Sequence, residues 1–156
     1  QYLATLRTSR GEVILLLDAQ AAPLAVNNFV FLARQGWYDG SPFHKVLPGQ
    51  LAQSGDPSGT GLGTPGYAFR DEIGVLRFDQ PGRVAMASAG ANGNGSQFFI
   101  TYAALPELNG QYTIFGQVLE GMDVLAALTP RNPSLMGELP ESDTILQVLI
   151  DERVNQ

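Results

Sequence analysis

The sequence predicts a mainly β domain, a closed barrel or a sandwich carrying two helices, on three observations. Short apolar runs recur between Gly-, Pro-, Asn- and Ser-rich stretches from Phe43 to Phe115, a spacing typical of all-β architecture. The chain holds 18 Gly and 10 Pro in 156 residues, too many turn formers for a helical bundle. A helical period occurs in only two places.

In chain order, Tyr2–Thr8 is rich in strand formers, Ser9-Arg10-Gly11 reads as a tight turn, and Glu12–Leu17 follows as the second strand of a hairpin. Pro23 suits a first helical position, and Val26, Phe29, Val30 and Ala33 recur at i, i+3, i+4 and i+7 before Gly36, so a helix is predicted over Pro23–Arg34. Strands are predicted at Phe43–Leu47, Arg83–Ala87, Gln97–Thr101 and Tyr112–Phe115. A short second helix is predicted within Gly121–Leu128, broken by Thr129–Pro133. Thr144–Asp151 reads as a buried closing strand, and because a barrel must close it is expected to pair with the N-terminal hairpin.

The length fits one domain over 1–156. The formal charge is −6, so nucleic acid, which demands a clustered basic surface, is not an expected partner. No cysteine is present, which excludes disulfides, thiolate catalysis and Cys-based metal sites. The longest apolar run, Val13–Leu17, is far short of the roughly 18 residues of a membrane span, and a soluble domain is expected. The chain opens at Gln1 without Met, which leans the reading towards an exported bacterial domain that has lost an upstream segment and leaves a cytoplasmic one open.

Several motifs carry little. Gly61-Leu-Gly-Thr-Pro-Gly66 has the spacing of a dinucleotide loop, but no strand precedes it and no helix follows, so it reads as a mobile turn. Asn94-Gly-Ser96 is a glycosylation sequon abutting an apolar run that reads as buried. Asp71-Glu72 are adjacent carboxylates on an extended segment, pointing to opposite faces, and a solvated edge is expected. His44 is the only histidine and no Gly-x-Ser-x-Gly elbow accompanies it, which leaves a hydrolase the weakest reading. One His and scattered carboxylates give no metal-ligand spacing.

Two stretches remain. Phe43-His-Lys-Val-Leu-Pro-Gly-Gln-Leu-Ala-Gln-Ser-Gly-Asp56 and Met86-Ala-Ser-Ala-Gly-Ala-Asn-Gly-Asn-Gly-Ser-Gln-Phe-Phe-Ile-Thr101, with Gly59-Thr60-Gly61, Leu108-Asn109-Gly110 and Phe115-Gly116, resemble the signature of the cyclophilin family of peptidyl-prolyl cis–trans isomerases. The resemblance runs in consistent order from about Tyr2 to Ile150. It implies a closed eight-stranded antiparallel barrel capped by two helices, with a substrate groove on the outer barrel face, and an isomerase acting on X–Pro bonds to assist folding.

Carried over by motif, the resemblance makes Phe99 the floor of the proline pocket, with Leu51, Leu108 and Tyr112 around it. Gln53 and Gln97 contact the substrate backbone, and Ala87, Ser88 and Ala89 lie along the peptide. Thr60, Gly61, Gly93 and Ser96 border the pocket for the preceding residue, and Phe43 belongs with the substrate-binding set. Lys45 stands where the family usually has the arginine that acts as donor, so Lys45, Gln53 and Phe99 are the implied catalytic residues, with reduced activity. Gln50 replaces a pocket-wall Phe, and Glu107 stands where many members carry a Trp that contacts cyclosporin. The implied protein is a monomer that binds proline-containing polypeptides, binds cyclosporin weakly and needs no cofactor. A proline-peptide binding module using the same groove with negligible turnover is the alternative.

Overall fold

A computed structural model describes residues 1–153; the last three residues of the expected 1–156 domain lie outside the described residues. Tyr2–Thr8 (β1) and Gly11–Leu17 (β2) form the expected hairpin, with Thr8 opposite Gly11. The turn is pinned by the Thr8 hydroxyl, which donates to Gly11 O (2.7 Å) and accepts from the Arg10 N–H (3.1 Å). Along both strands alternate residues point inward, Ala4 and Leu6 against Val13, Leu15 and Leu17, the period-two pattern of a sheet with one buried face.

The remaining strands are Lys45–Leu47 (β3), Leu51–Ser54 (β4), Arg83–Met86 (β5), Phe98–Thr101 (β6), Ile114–Glu120 (β7) and Ile145–Glu152 (β8). All eight form one antiparallel sheet in the order β3-β4-β6-β5-β7-β2-β1-β8. As expected, the last strand pairs with the hairpin, Tyr2 opposite Glu152 and Leu6 opposite Val148. The sheet curls until its edges meet. At the seam no continuous ladder joins β3 to β8; a single bridge between Pro42 and Thr144 does so, with Phe43 N–H donating to Asp143 O (2.8 Å) and Ile145 N–H to Ser41 O (2.8 Å).

The stretch expected as Phe43–Leu47 is thus shorter, and a separate strand follows it: Pro48-Gly49-Gln50 reverses the chain so that Leu51–Ser54 pairs back on Lys45–Leu47. β7 begins two residues later than Tyr112, because Tyr112 is drawn to the outer face described below.

The helix Pro23–Arg34 (α1) has the predicted bounds and covers one end of the barrel, sending Phe29 into an aromatic centre. Phe29 lies 5.0 Å from Tyr38, 5.5 Å from Phe98 and 5.5 Å from Phe115, centroid to centroid. No residue at its own start caps α1. Glu72 does so instead, accepting from Ala25 N–H (2.8 Å) and Leu24 N–H (3.1 Å). Asp71, pointing the other way, accepts from the Asn92 N–H and the Asn94 side chain. The two carboxylates do face apart as expected, but neither is an idle solvated edge. The Asn94 amide of the sequon is buried and hydrogen-bonded to Phe69 O and Asp71, as its place beside a buried apolar run implies.

The second helix, Met122–Ala126 (α2), is shorter than Gly121–Leu128 and tucks Leu125 into the other end of the barrel. Among the described residues no helix is long and apolar enough to cross a membrane.

Candidate active site

Antiparallel register builds the site. Lys45 in β3 faces Gln53 in β4, Gln53 faces Phe99 in β6, and Phe99 faces Ala85 in β5. Directly opposed residues project to the same side of a sheet, so one row across four strands sets a cation, an amide, an aromatic ring and a methyl group on the outer face. Their strand neighbours Val46, Ala52, Phe98, Ile100 and Val84 point inward to the core.

An apolar side chain on an outer face needs cover, and two returning segments supply it. Leu76–Phe78 and Leu105–Tyr112, with Ile114 at the start of β7, make a second hydrophobic cluster with Phe99 and Ala85, separate from the interior one. The segments are tied by Phe78 N–H donating to the Asn109 side chain (2.7 Å) and Leu105 N–H donating to Phe78 O (2.9 Å). Phe78 stacks behind Phe99, and the Tyr112 ring meets Phe99 edge-on at 5.3 Å and 87°. Phe99 is left 3% exposed, at the bottom of a hollow of about 150 Å³. Lys45, Gln53 and Ser88 form its polar edge, and Leu51, Ala87, Phe99, Leu108 and Tyr112 its apolar lining.

A second hollow, about 450 Å³, adjoins it through Gln53, Ala87 and Ser88. Gly61, Ala89, Gly93, Ser96 and Gln97 line this one, together with Leu62 and Tyr67. Its near wall is the 58–63 loop, wound on the buried Asp56 carboxylate, which accepts from Ser58 N–H (2.9 Å), Ser58 Oγ (2.7 Å), Gly61 N–H (2.8 Å) and Gly63 N–H (2.9 Å). Burial alone would push this carboxyl group up; the hydrogen bonds from Ser58, Gly63 and Gly61 outweigh it and hold the group below its ordinary value. The Gly-rich stretch is therefore a tethered loop rather than a loose turn. From it the polar contacts run inward: Gln97 Nε2 donates to Gly61 O (2.9 Å), and Gln53 Nε2 donates to Gln97 Oε1 (3.1 Å).

Most of the expected residues therefore meet in two contiguous hollows, and three lie elsewhere. Phe43 is fully buried in the interior cluster, on the inner side of the sheet, so it packs the barrel and cannot touch a peptide on the outer face. Gln50 is exposed at the tip of the β3–β4 turn and lines neither hollow. Thr60 turns its hydroxyl back to Ser58 and Asp56. Conversely, sequence reasoning missed Phe78 and Asp56. Phe78 had only an alternation of Leu76 and Phe78 about Arg77 to mark it, whereas Asp56 immediately before a glycine-rich loop was a readable sign of a carboxylate gathering backbone N–H groups.

Lys45 is the only lysine in the chain, and among the described residues it forms no ion pair. Beside it His44 is buried, with Nδ1 lacking a hydrogen-bond partner. Burial holds its pKa below the ordinary value, Asp56 opposing and Arg131 and Lys45 reinforcing. His44 is thus a packed neutral imidazole rather than an exposed base.

Comparison with known proteins gives the same picture at the level of the whole chain. Residues 3–149 match the model of the family described as cyclophilin type peptidyl-prolyl cis-trans isomerase/CLD. Peptidyl-prolyl cis-trans isomerase A of Mycobacterium tuberculosis is 47% identical over 134 residues, covering 75% of this chain and 73% of that protein. Peptidyl-prolyl cis-trans isomerase B of Streptomyces anulatus is 40% identical, with 97% of each covered. A cyclophilin type peptidyl-prolyl cis-trans isomerase from Cryptosporidium parvum, crystallised in the presence of the dipeptide Ala-Pro, superposes with a TM-score of 0.87 at 37% identity, covering 97% of this chain and 99% of that one.

Proposed function

The chain belongs to the cyclophilin-type peptidyl-prolyl cis-trans isomerase family, and from that premise we propose that it rotates X–Pro bonds of extended polypeptide segments at the hollow floored by Phe99. The row Lys45–Gln53–Phe99 beside a hollow sized for a small ring is the observation that carries this reading. The Ala-Pro dipeptide present with the Cryptosporidium relative supports a prolyl ligand.

An X–Pro amide resists rotation by about 18–20 kcal/mol because nitrogen shares its lone pair with the carbonyl, while its isomers differ by only about 0.5–1 kcal/mol. Catalysis therefore means binding the twisted bond better than either planar form. The prolyl ring sits against Phe99, Leu108 and Tyr112, which hold it and exclude water. Rotation frees the nitrogen lone pair, and the Lys45 ammonium donates a hydrogen bond to it that neither planar isomer can accept as well. Gln53 engages the peptide backbone. No bond forms or breaks. An ammonium is a point donor without the planar fork of a guanidinium, so turnover is slower than an arginine would give.

All the groups named come from one chain, which supports action as a monomer, and we take 1–156 as one isomerase domain. Glu107, exposed beside Leu108, supports weak cyclosporin binding. The test is cis-to-trans exchange of a Pro-containing tetrapeptide. Lys45→Ala and Phe99→Ala are each expected to lower kcat/KM at least about tenfold, some 1.4 kcal/mol of transition-state stabilisation, and Lys45→Arg to raise it. A clear loss on Lys45→Arg overturns the donor role of Lys45. Tetrapeptide binding without exchange in the parent chain replaces the enzyme with a proline-peptide binding module.

A further inference from the structure

We propose that Asp56, which lines neither hollow, is a positioning residue that sets the orientation of the Gln53 side-chain amide through the 58–63 loop and Gln97. This rests on the reading of Gln53 and Lys45 as the polar edge of the isomerase site.

The chain of contacts leaves each amide one orientation. Asp56 offers only acceptors, and its two oxygens collect the N–H groups of Ser58, Gly61 and Gly63. Wound this way, the loop turns the carbonyls of Gly61 and Gly63 onto Gln97, 2.9 and 3.3 Å from Nε2. Two carbonyl oxygens can be met only by an NH₂ group, so Gln97 must point its Nε2 at the loop and its Oε1 away. That oxygen accepts from Gln53 Nε2 at 3.1 Å. The end of Gln53 left free is its carbonyl oxygen.

The consequence lies across the strand. Lys45 stands opposite Gln53, and an ammonium can only donate. A Gln53 presenting Oε1 attracts the Lys45 ammonium and accepts a substrate N–H; the reversed amide would set NH₂ against NH₃⁺. The charge of Asp56 thus reaches the reacting bond as a choice of amide end. The loop that transmits it has no slack: at Gly63 a Cβ would fall 1.8 Å from the Asp56 carboxylate, and Gly61 holds φ +81°, a left-handed conformation that side chains rarely adopt.

Tetrapeptide exchange measured on Asp56→Asn, Gln97→Ala and their double variant tests this, with near-ultraviolet circular dichroism to select folded proteins. Each single change is expected to lower kcat/KM about tenfold, and the double to lower it no further than the worse single, because both interrupt one path. Losses that multiply overturn the proposal. Should Asp56→Asn not fold, Ser58→Ala removes one contact of the carboxylate from the exposed side of the loop. The Gln97 and Gln53 side-chain amide resonances are expected to move together in that variant, and unmoved resonances overturn the proposal. Lys45→Ala and Gln53→Ala that both retain parental kcat/KM overturn the site reading itself, and this proposal with it.

Discussion

Phe78 lies parallel behind Phe99, ring centroids 5.8 Å apart and planes 13° from coplanar, so the floor of the hollow is a two-ring stack of which only the front ring lines the cavity. Phe78 is fully buried on the outer side of the sheet. Phe78→Ala is expected to cost about 3–5 kcal/mol of stability. Phe78→Leu keeps most of the apolar volume and is expected to cost less than Phe78→Ala while still lowering kcat/KM severalfold, because Phe99 loses the flat surface that fixes its tilt. Urea unfolding and tetrapeptide exchange read the two effects separately; parental kcat/KM in Phe78→Leu would show that Phe99 needs no backing ring.

Glu72 caps α1 from 48 residues away in sequence. Removing it leaves the Leu24 and Ala25 N–H groups without their acceptor at the positive end of the helix dipole. Glu72→Ala is expected to lower stability by about 1 kcal/mol, read from the urea midpoint. Tetrapeptide exchange should be unchanged, since the Glu72 carboxylate meets only the first turn of α1 and no residue of either hollow.

His44 makes stability depend on pH in one direction. Its native pKa lies below 6.5, first because of burial. Above 6.5 the imidazole is neutral whether folded or not and contributes nothing. As pH falls below 6.5, the unfolded chain takes up a proton that the native state resists, so stability declines. The lowered carboxyl groups of Asp56 and Asp143 act in the same direction, but only once pH falls below their ordinary value of 3.8. Between about pH 7.5 and about pH 5 the urea midpoint is therefore expected to fall, and to fall less in His44→Gln. An equal fall in both proteins would assign the effect to other groups.

Glu107 stands on the 3₁₀ turn Pro106–Leu108, exposed beside the hollow wall. The parent chain is expected to bind cyclosporin weakly. Glu107→Trp adds an apolar, hydrogen-bonding surface at that rim, and titration should find its affinity at least tenfold higher, about 1.4 kcal/mol. Nanomolar binding by the parent chain would remove Glu107 as the determinant.

How much of this was legible in the sequence differs by element. The hairpin and the bounds of α1 followed from alternation and a helical period written in neighbouring residues, and the return of β8 to β1 from the need of a sheet to close. Most groove residues followed from the likeness of two stretches to a known family. What failed was the direction of three side chains, Phe43, Gln50 and Thr60. Phe43 adjoins a groove motif yet packs the interior, because the pleat begins only at Lys45 and the residues before it turn inward at the seam.

The sequence by itself determined the family, both helices, every strand but Leu51–Ser54, and the unusual cation at position 45, because these reside in local pattern and in matched motifs. Only the tertiary structure decided that Phe78 backs Phe99, that Glu72 caps α1 and that Asp56 winds the loop holding Gln97. Each is a contact between segments far apart in the chain, and such contacts exist only once the sheet has curled and brought those segments together.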